Sequence, residues 1–188
     1  EKYRTEYELR DLTVTLDEYV PIPIYNMSFG WTRGDLSPAE EHPMLVGCRD
    51  AFRRGKLIVA SVGNGQLEGV QVPAGFSNFV MGVGAVLWNG LYWKDSYVIG
   101  SLDSLWRQGE NWGAGLDVVA PGGRLITADG WSEWVRTTKP APCGALEVCC
   151  NPADVDFMAF GGTSAAAPMV AGLAAWLKSV EPSLQGED

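Results

Sequence analysis

Histidine is nearly missing from this chain: His42 is the only one in 188 residues. Basic residues are scarce as well, 14 Lys plus Arg against 23 Asp plus Glu, for a net charge of −9. That surplus opposes a nucleic-acid partner and an anionic membrane surface, and otherwise serves solubility. Long hydrophobic runs are lacking. The longest, such as residues 80–88, are interrupted by glycine and too short to span a bilayer. No signal-peptide pattern is visible, and the opening E-K-Y-R-T-E-Y-E is charged. A missing native N-terminus would leave the same picture, so secretion is not decided there. Internal repeats and low-complexity linkers are absent. The rest is globular in composition, 46% hydrophobic and 20% charged, and long enough for one domain with a sizeable core.

Four cysteines are present. Cys48 recurs with Met44, Ala51 and Phe52 at helical spacing, which predicts a buried thiol. Cys143, Cys149 and Cys150 cluster in C-G-A-L-E-V-C-C. A bridge from Cys143 to Cys149 or Cys150 would staple a surface loop and fits an oxidising, extracellular compartment. No metal site is expected there: no histidine is near and the spacing matches no zinc pattern.

Residues 21–28 alternate weakly and end near Gly30, as a short strand does. Ser37-Pro38-Ala39-Glu40 is a capping box, and a second helical stretch is predicted to begin near Pro43 and stop at Gly55. Residues 56–62 form a continuous apolar run of strand length, expected in the middle of a parallel sheet. Strand, helix, strand is the unit of α/β folds. Residues 79–86 and 116–119 supply further strands. The stretch F-G-G-T-S-A-A-A-P-M-V-A-G opens the last helix, which is apolar enough to be buried. Thr163 and Ser164 are cap-type residues at its start. Pro168 cannot donate the helix bond to the Ser164 carbonyl. Unpaired N–H groups and the helix dipole favour negative charge at Ser164, which suits a nucleophile whose attack makes an oxyanion, and equally a phosphate site. Gly63-Asn64-Gly65 after a strand imitates a dinucleotide fingerprint, but Pro73 opposes the helix it must open, and no acidic residue follows about 20 positions later.

The pattern Gly162, Thr163, Ser164, Pro168, Gly172 resembles the nucleophile motif of the subtilisin-like serine proteases. I-Y-N-M-S-F-G, ending at Gly30, is similar to that family's substrate-binding strand, and L-I-V-A-S-V-G-N-G to the strand that delivers its oxyanion-hole asparagine. P-A-G-F-S-N-F-V-M-G-V-G-A and L-D-V-V-A-P-G are weaker matches in the same order. Together they span about residues 20–180, with stretches at about 87–111 and 127–156 that read as inserted. Those stretches hold Trp88, Trp93, Trp106, Trp131 and Trp134, read as packing under long loops.

The resemblance implies an α/β, three-layer fold with a mostly parallel sheet between helices, incomplete on its N-terminal side. It implies Ser164 as nucleophile, with Asn64 and the Ser164 N–H as oxyanion donors. Ser28, Phe29 and Gly30 would pair with a polypeptide substrate, and Gly30 with Ser61, Val62 and Gly63 would wall the specificity pocket. Asp35, just beyond, is read as a loop acid. No cofactor is implied; structural calcium occurs in the family, and no site for it is identifiable in this sequence. The family's Asp and His motifs precede the substrate strand, and neither is found. Asp11 and Asp17 lack the glycine that should follow, and His42 comes after the strand, in E-E-H-P. An N-terminal segment or a second chain is therefore expected to supply them. The other reading is a non-catalytic peptide-binding module derived from the same fold.

Overall fold

The computed structural model describes residues 22–31, 43–87, 89–94, 96–99, 105–123, 135–138 and 157–185. Asp11, Asp17, Asp35, the capping box at 37–40, His42, Cys143, Cys149 and Cys150 lie outside these residues, as do Trp88, Trp131 and Trp134. In chain order the elements are β1 (Ile24–Met27), α1 (Pro43–Arg53), β2 (Leu57–Ser61), β3 (Met81–Val86), β4 (Ser96–Ile99), β5 (Leu105–Gln108), β6 (Val118–Pro121), β7 (Val135–Thr138), β8 (Phe157–Phe160) and α2 (Thr163–Val180).

Four strands form a parallel sheet in the order β1-β2-β3-β6. The β1–α1–β2 crossover is the predicted one. α1 presents Met44 and Cys48 inward, and Gly55 follows its end with φ +75°, a left-handed turn that glycine makes without strain. The continuous apolar run of β2 has its reason in the two packed faces of the sheet. Ile58 and Ala60 join a cluster with Met44 and Cys48 of α1, while Val59 joins Val83, Ala120, Ala166 and Ala167 on the α2 side. Alternation along one strand thus feeds two cores and gives three layers. Trp93 is fully buried in the second cluster, as a packing residue should be.

Two strands start later than predicted, because local turns take the flanking residues. Phe79 and Val80 both donate to the Phe76 carbonyl, so β3 begins at Met81. Leu116 donates to the Gly113 carbonyl, so β6 begins at Val118. Two antiparallel pairs, β4–β5 and β7–β8, lie apart from the main sheet. Beyond Gly65 the chain runs through bridges and turns, with a cis Val72–Pro73 peptide, and no helix opens there. That removes the dinucleotide-fingerprint reading. The last helix needs a correction too. Ala165, Ala166 and Ala167 are buried, but large apolar side chains further along α2 face outward.

Burial holds the Cys48 thiol up at about 12, so it stays protonated and unreactive. Glu110 is a sharper case, 1% exposed. Its carboxylate accepts the Ala85 N–H at 2.9 Å, yet burial outweighs that bond and raises the group from 4.5 to about 7. A carboxyl raised on folding stabilises fully below its unfolded value, and that contribution is lost as pH climbs through about 7. The gap corresponds to roughly 3 kcal/mol at most, at 1.36 kcal/mol per pH unit. Denaturation midpoints should therefore fall between pH 5 and pH 8, and Glu110→Gln should flatten that slope. Equal slopes in both proteins would show that Glu110 does not set it.

Candidate active site

The polar cluster sits where the parallel strands end and α2 begins. Gly162 is the N-cap of α2, at φ 92° and ψ 179°, and makes no side-chain cap bond. Thr163 and Ser164 are therefore the first two helical residues and do not cap it. The cap comes from another element. Asn64, in the loop after β2, accepts the Thr163 N–H at 2.8 Å and the Thr163 hydroxyl at 2.9 Å through Oδ1. Thr163 Oγ1 in turn accepts the Gly63 N–H at 3.2 Å. Gly162 donates to the Gly122 carbonyl at 2.6 Å, which ties in the loop after β6. A Cβ at Gly162 would lie 3.0 Å from the Asn64 amide, so glycine serves both the positive φ and the close approach.

This anchoring orients Asn64. With Oδ1 engaged by the helix start, the Nδ2 donors form the other end of the amide. Within the first turn, Ala165 and Ala166 donate to the Gly162 carbonyl, and none of these bonds uses the Ser164 N–H.

Ser164 and Ser28 make a reciprocal pair. Ser164 Oγ donates to the Ser28 carbonyl at 3.2 Å, and Ser28 Oγ donates to the Ser164 carbonyl at 2.9 Å. The second bond follows from Pro168. Proline has no N–H for the Ser164 carbonyl four residues back, and the Ser28 hydroxyl takes its place. The strand extension after β1 is thereby fastened to the helix start.

The remaining residues singled out in the sequence lie alongside. Phe29 is exposed and stacks on Trp31 with centroids 6.3 Å apart. Ser61, Val62 and Gly63 are buried at the end of β2. Trp31 exchanges backbone bonds with Val72, and Gln71 donates its N–H to the Val62 carbonyl, so residues 71–72 run between the two segments. A Cβ at Gly30 would meet the Val72 carbonyl at 2.7 Å, so that glycine admits a neighbouring backbone. The Gln71 side chain lies beside both Gly30 and Gly63.

Sequence reasoning missed Gln71, Thr163's bridging hydroxyl and Asn111. Asn111 is 1% exposed. Its Oδ1 accepts the N–H groups of Gly65 and Leu67 at 3.0 and 3.1 Å, and its own N–H donates to the Gly63 carbonyl at 3.0 Å. It clamps the loop on both sides of Asn64. Its one signal in sequence was a polar residue in E-N-W-G, with nothing to tell its partners.

A serine and an asparagine amide at a helix start, fed by the carboxyl ends of parallel strands, place the chain among α/β proteins that work at that edge of the sheet. The particular group is shown by comparison. A family model described as Subtilase family matches residues 18–188, and the chain belongs to that family. Subtilisin BL from Lederbergia lenta is 29% identical over 160 residues, covering 85% of this chain and 43% of that protein. Alkaline elastase YaB from Bacillus sp. (strain YaB) is 31% identical over 160 residues, covering 85% of this chain and 31% of that protein. The chain thus spans less than half the length of either relative. Among solved structures, the prenylagaramide maturation protease PagA superposes with TM-score 0.63 at 21% identity, over 94% of this chain and 50% of its own. A protease from Pseudoalteromonas arctica gives TM-score 0.60 at 27% identity, over 89% of this chain and 42% of its own. The fold is accordingly a subtilisin-like α/β fold of the subtilase family.

Proposed function

We propose that this chain carries the nucleophile and the oxyanion hole of a serine endopeptidase, and that the Asp and His come from an N-terminal segment or a second chain. The observation that carries it is the Asn64–Thr163–Ser164 arrangement. One amide oxygen holds Thr163, the first residue of the helix, which leaves the N–H end of the amide as a donor, and Ser164 follows with its own N–H in the first turn. Peptide acyl transfer to Ser164, then to water, needs a negative oxygen held by such donors. No cofactor takes part. The polypeptide substrate would lie along Ser28, Phe29 and Gly30 as an added strand, with Gly30, Gln71 and Gly63 at its pocket. An extracellular location belongs to the same reading, along with a bridge from Cys143 to Cys149 or Cys150, checked by peptide mapping without reduction.

The test is covalent labelling. A fluorophosphonate probe added to the chain together with a segment bearing the Asp and His motifs should modify Ser164 alone. Labelling that survives Ser164→Ala would reject the assignment. Peptide binding without any labelling would favour the non-catalytic module, a reading supported by Ser164 Oγ resting on the Ser28 carbonyl.

A further inference from the structure

The loop after β2 carries Asn64 in a conformation that its sequence does not favour. Gln66 lies at φ +51°, and it is the one non-glycine residue with positive φ among the described residues. Such a backbone is rare outside glycine and persists only where the surroundings impose it. Packing does not impose it, because Gly65, Leu67, Glu68 and Gly69 are exposed. Hydrogen bonds to residues 109–111 do so instead. Gln66 donates its N–H to the Gly109 carbonyl at 3.0 Å. The residues on either side of it, Gly65 and Leu67, both donate to Asn111 Oδ1, at 3.0 and 3.1 Å. One buried amide oxygen thus bridges the strained residue. Asn111 also braces the other side of Asn64. Its N–H donates to the Gly63 carbonyl, and its Nδ2 lies 2.6 Å from where a Cβ on Gly63 would sit, so only glycine fits there.

The brace is anchored in turn. Glu110 accepts the Ala85 N–H of β3 on its carboxylate, donates its own N–H to the Trp93 carbonyl at 3.0 Å, and accepts the Tyr92 hydroxyl on its carbonyl at 3.2 Å. Glu110 and Asn111 are each 1% exposed. Two adjacent buried polar side chains are costly unless both are bonded. Here the first bonds the sheet and the second bonds the loop. We propose that Asn111 is a positioning residue for catalysis, holding the loop so that the Asn64 amide stands ready where the oxyanion forms. This rests on the reading of Asn64 as the oxyanion donor. Such a donor is effective only when it is in place before the reaction, since moving it into place would cost part of what it contributes. An amide suits the brace, because it accepts two N–H groups without bringing a negative charge near the oxyanion.

Amide hydrogen exchange on the chain itself tests the brace without any activity. In Asn111→Ala the Gly65 and Leu67 amides should exchange about tenfold faster, the scale of one lost hydrogen bond. Thr163 should follow them, although Asn111 does not bond it, because its N–H donates to Asn64 Oδ1. The Val59 and Val83 amides of the central strands report global stability, and only acceleration beyond theirs counts. Asn111→Asp keeps the acceptor oxygen and should keep the protection. Kinetics follow on the chain completed by a segment bearing the Asp and His motifs. There Asn111→Ala should lower kcat by ~10-fold with KM unchanged, inside the ~10²–10³-fold expected for losing the donor itself. In an Asn64→Ala background the same substitution should change kcat less than about twofold, because it acts through Asn64. Should Asn111→Ala not fold, Asn111→Ser, whose hydroxyl stands one bond short of the amide oxygen, replaces it throughout. The proposal is overturned by a Thr163 amide that does not follow Gly65 and Leu67, or by Asn111→Asp losing protection as Asn111→Ala does. Losses in kcat that simply add in the double variant overturn it too. Each of these leaves the proposed function standing. A loss below threefold in Asn64→Ala alone rejects the proposed function, and the positioning role with it.

Discussion

Turnover of peptides by this chain alone is expected to fall about a millionfold short of the completed enzyme. The reason is proton transfer. A serine hydroxyl is a weak nucleophile unless an adjacent base takes its proton. Here Ser164 Oγ donates to the Ser28 carbonyl, an acceptor that cannot carry the proton away. In subtilisin, losing the serine or the histidine alone costs ~10⁶-fold in turnover, and ~10³–10⁴ over water survives from binding and the oxyanion hole. That scale is carried over to this chain. The measurement is a peptide-substrate panel with the purified chain, with and without a segment bearing the Asp and His motifs. The segment should restore turnover, and Ser164→Ala should abolish what it restores. Efficient cleavage by the lone chain, lost in His42→Ala, would overturn the need for a segment.

Much of this was legible where chemistry is local. The β2 run is apolar on consecutive residues, so it had to be covered on both faces, and it is. Met44 and Cys48 at helical spacing pointed to the buried side of α1. Pro168 announced an unfilled carbonyl at Ser164, though not that the Ser28 hydroxyl, 136 residues earlier, would fill it. The rest was hidden for that same reason. Asn111 reaches Gly65 and Leu67 across 46 and 44 residues, and Glu110 reaches Ala85 across 25. Contacts at such separations leave no period in the sequence. A buried polar side chain becomes visible only when the backbone groups it satisfies are brought to it. The start of α2 shows the same limit. Thr and Ser read as caps from their type, but the cap is Asn64, supplied from a loop 99 residues away.

On the proposed function Asn64 has two tasks, and two substitutions should separate them. In the completed enzyme, Asn64→Ala is expected to lower kcat by ~10²–10³-fold, about 2.7–4 kcal/mol, with KM little changed, the loss found when subtilisin loses its oxyanion asparagine. The donor acts on charge that exists only as the carbonyl becomes tetrahedral, so it should not alter ground-state binding. Alanine also removes the acceptor for the Thr163 N–H and hydroxyl, so stability should fall by about 1 kcal/mol, the usual cost of a lost N-cap. Asn64→Asp keeps an oxygen for both of those bonds and places a carboxylate at the helix start, where the dipole favours it. Its melting temperature should stay at or above the wild type. Its turnover should be worse than alanine's, because the remaining oxygen repels the developing oxyanion. Thermal melts and steady-state kinetics on the two variants check the pair of tasks together. An Asn64→Ala loss below threefold would leave Asn64 as a helix cap and nothing more. Equal stability losses in the two variants would show that the acceptor bonds to Thr163 are not what fastens α2 to the loop after β2.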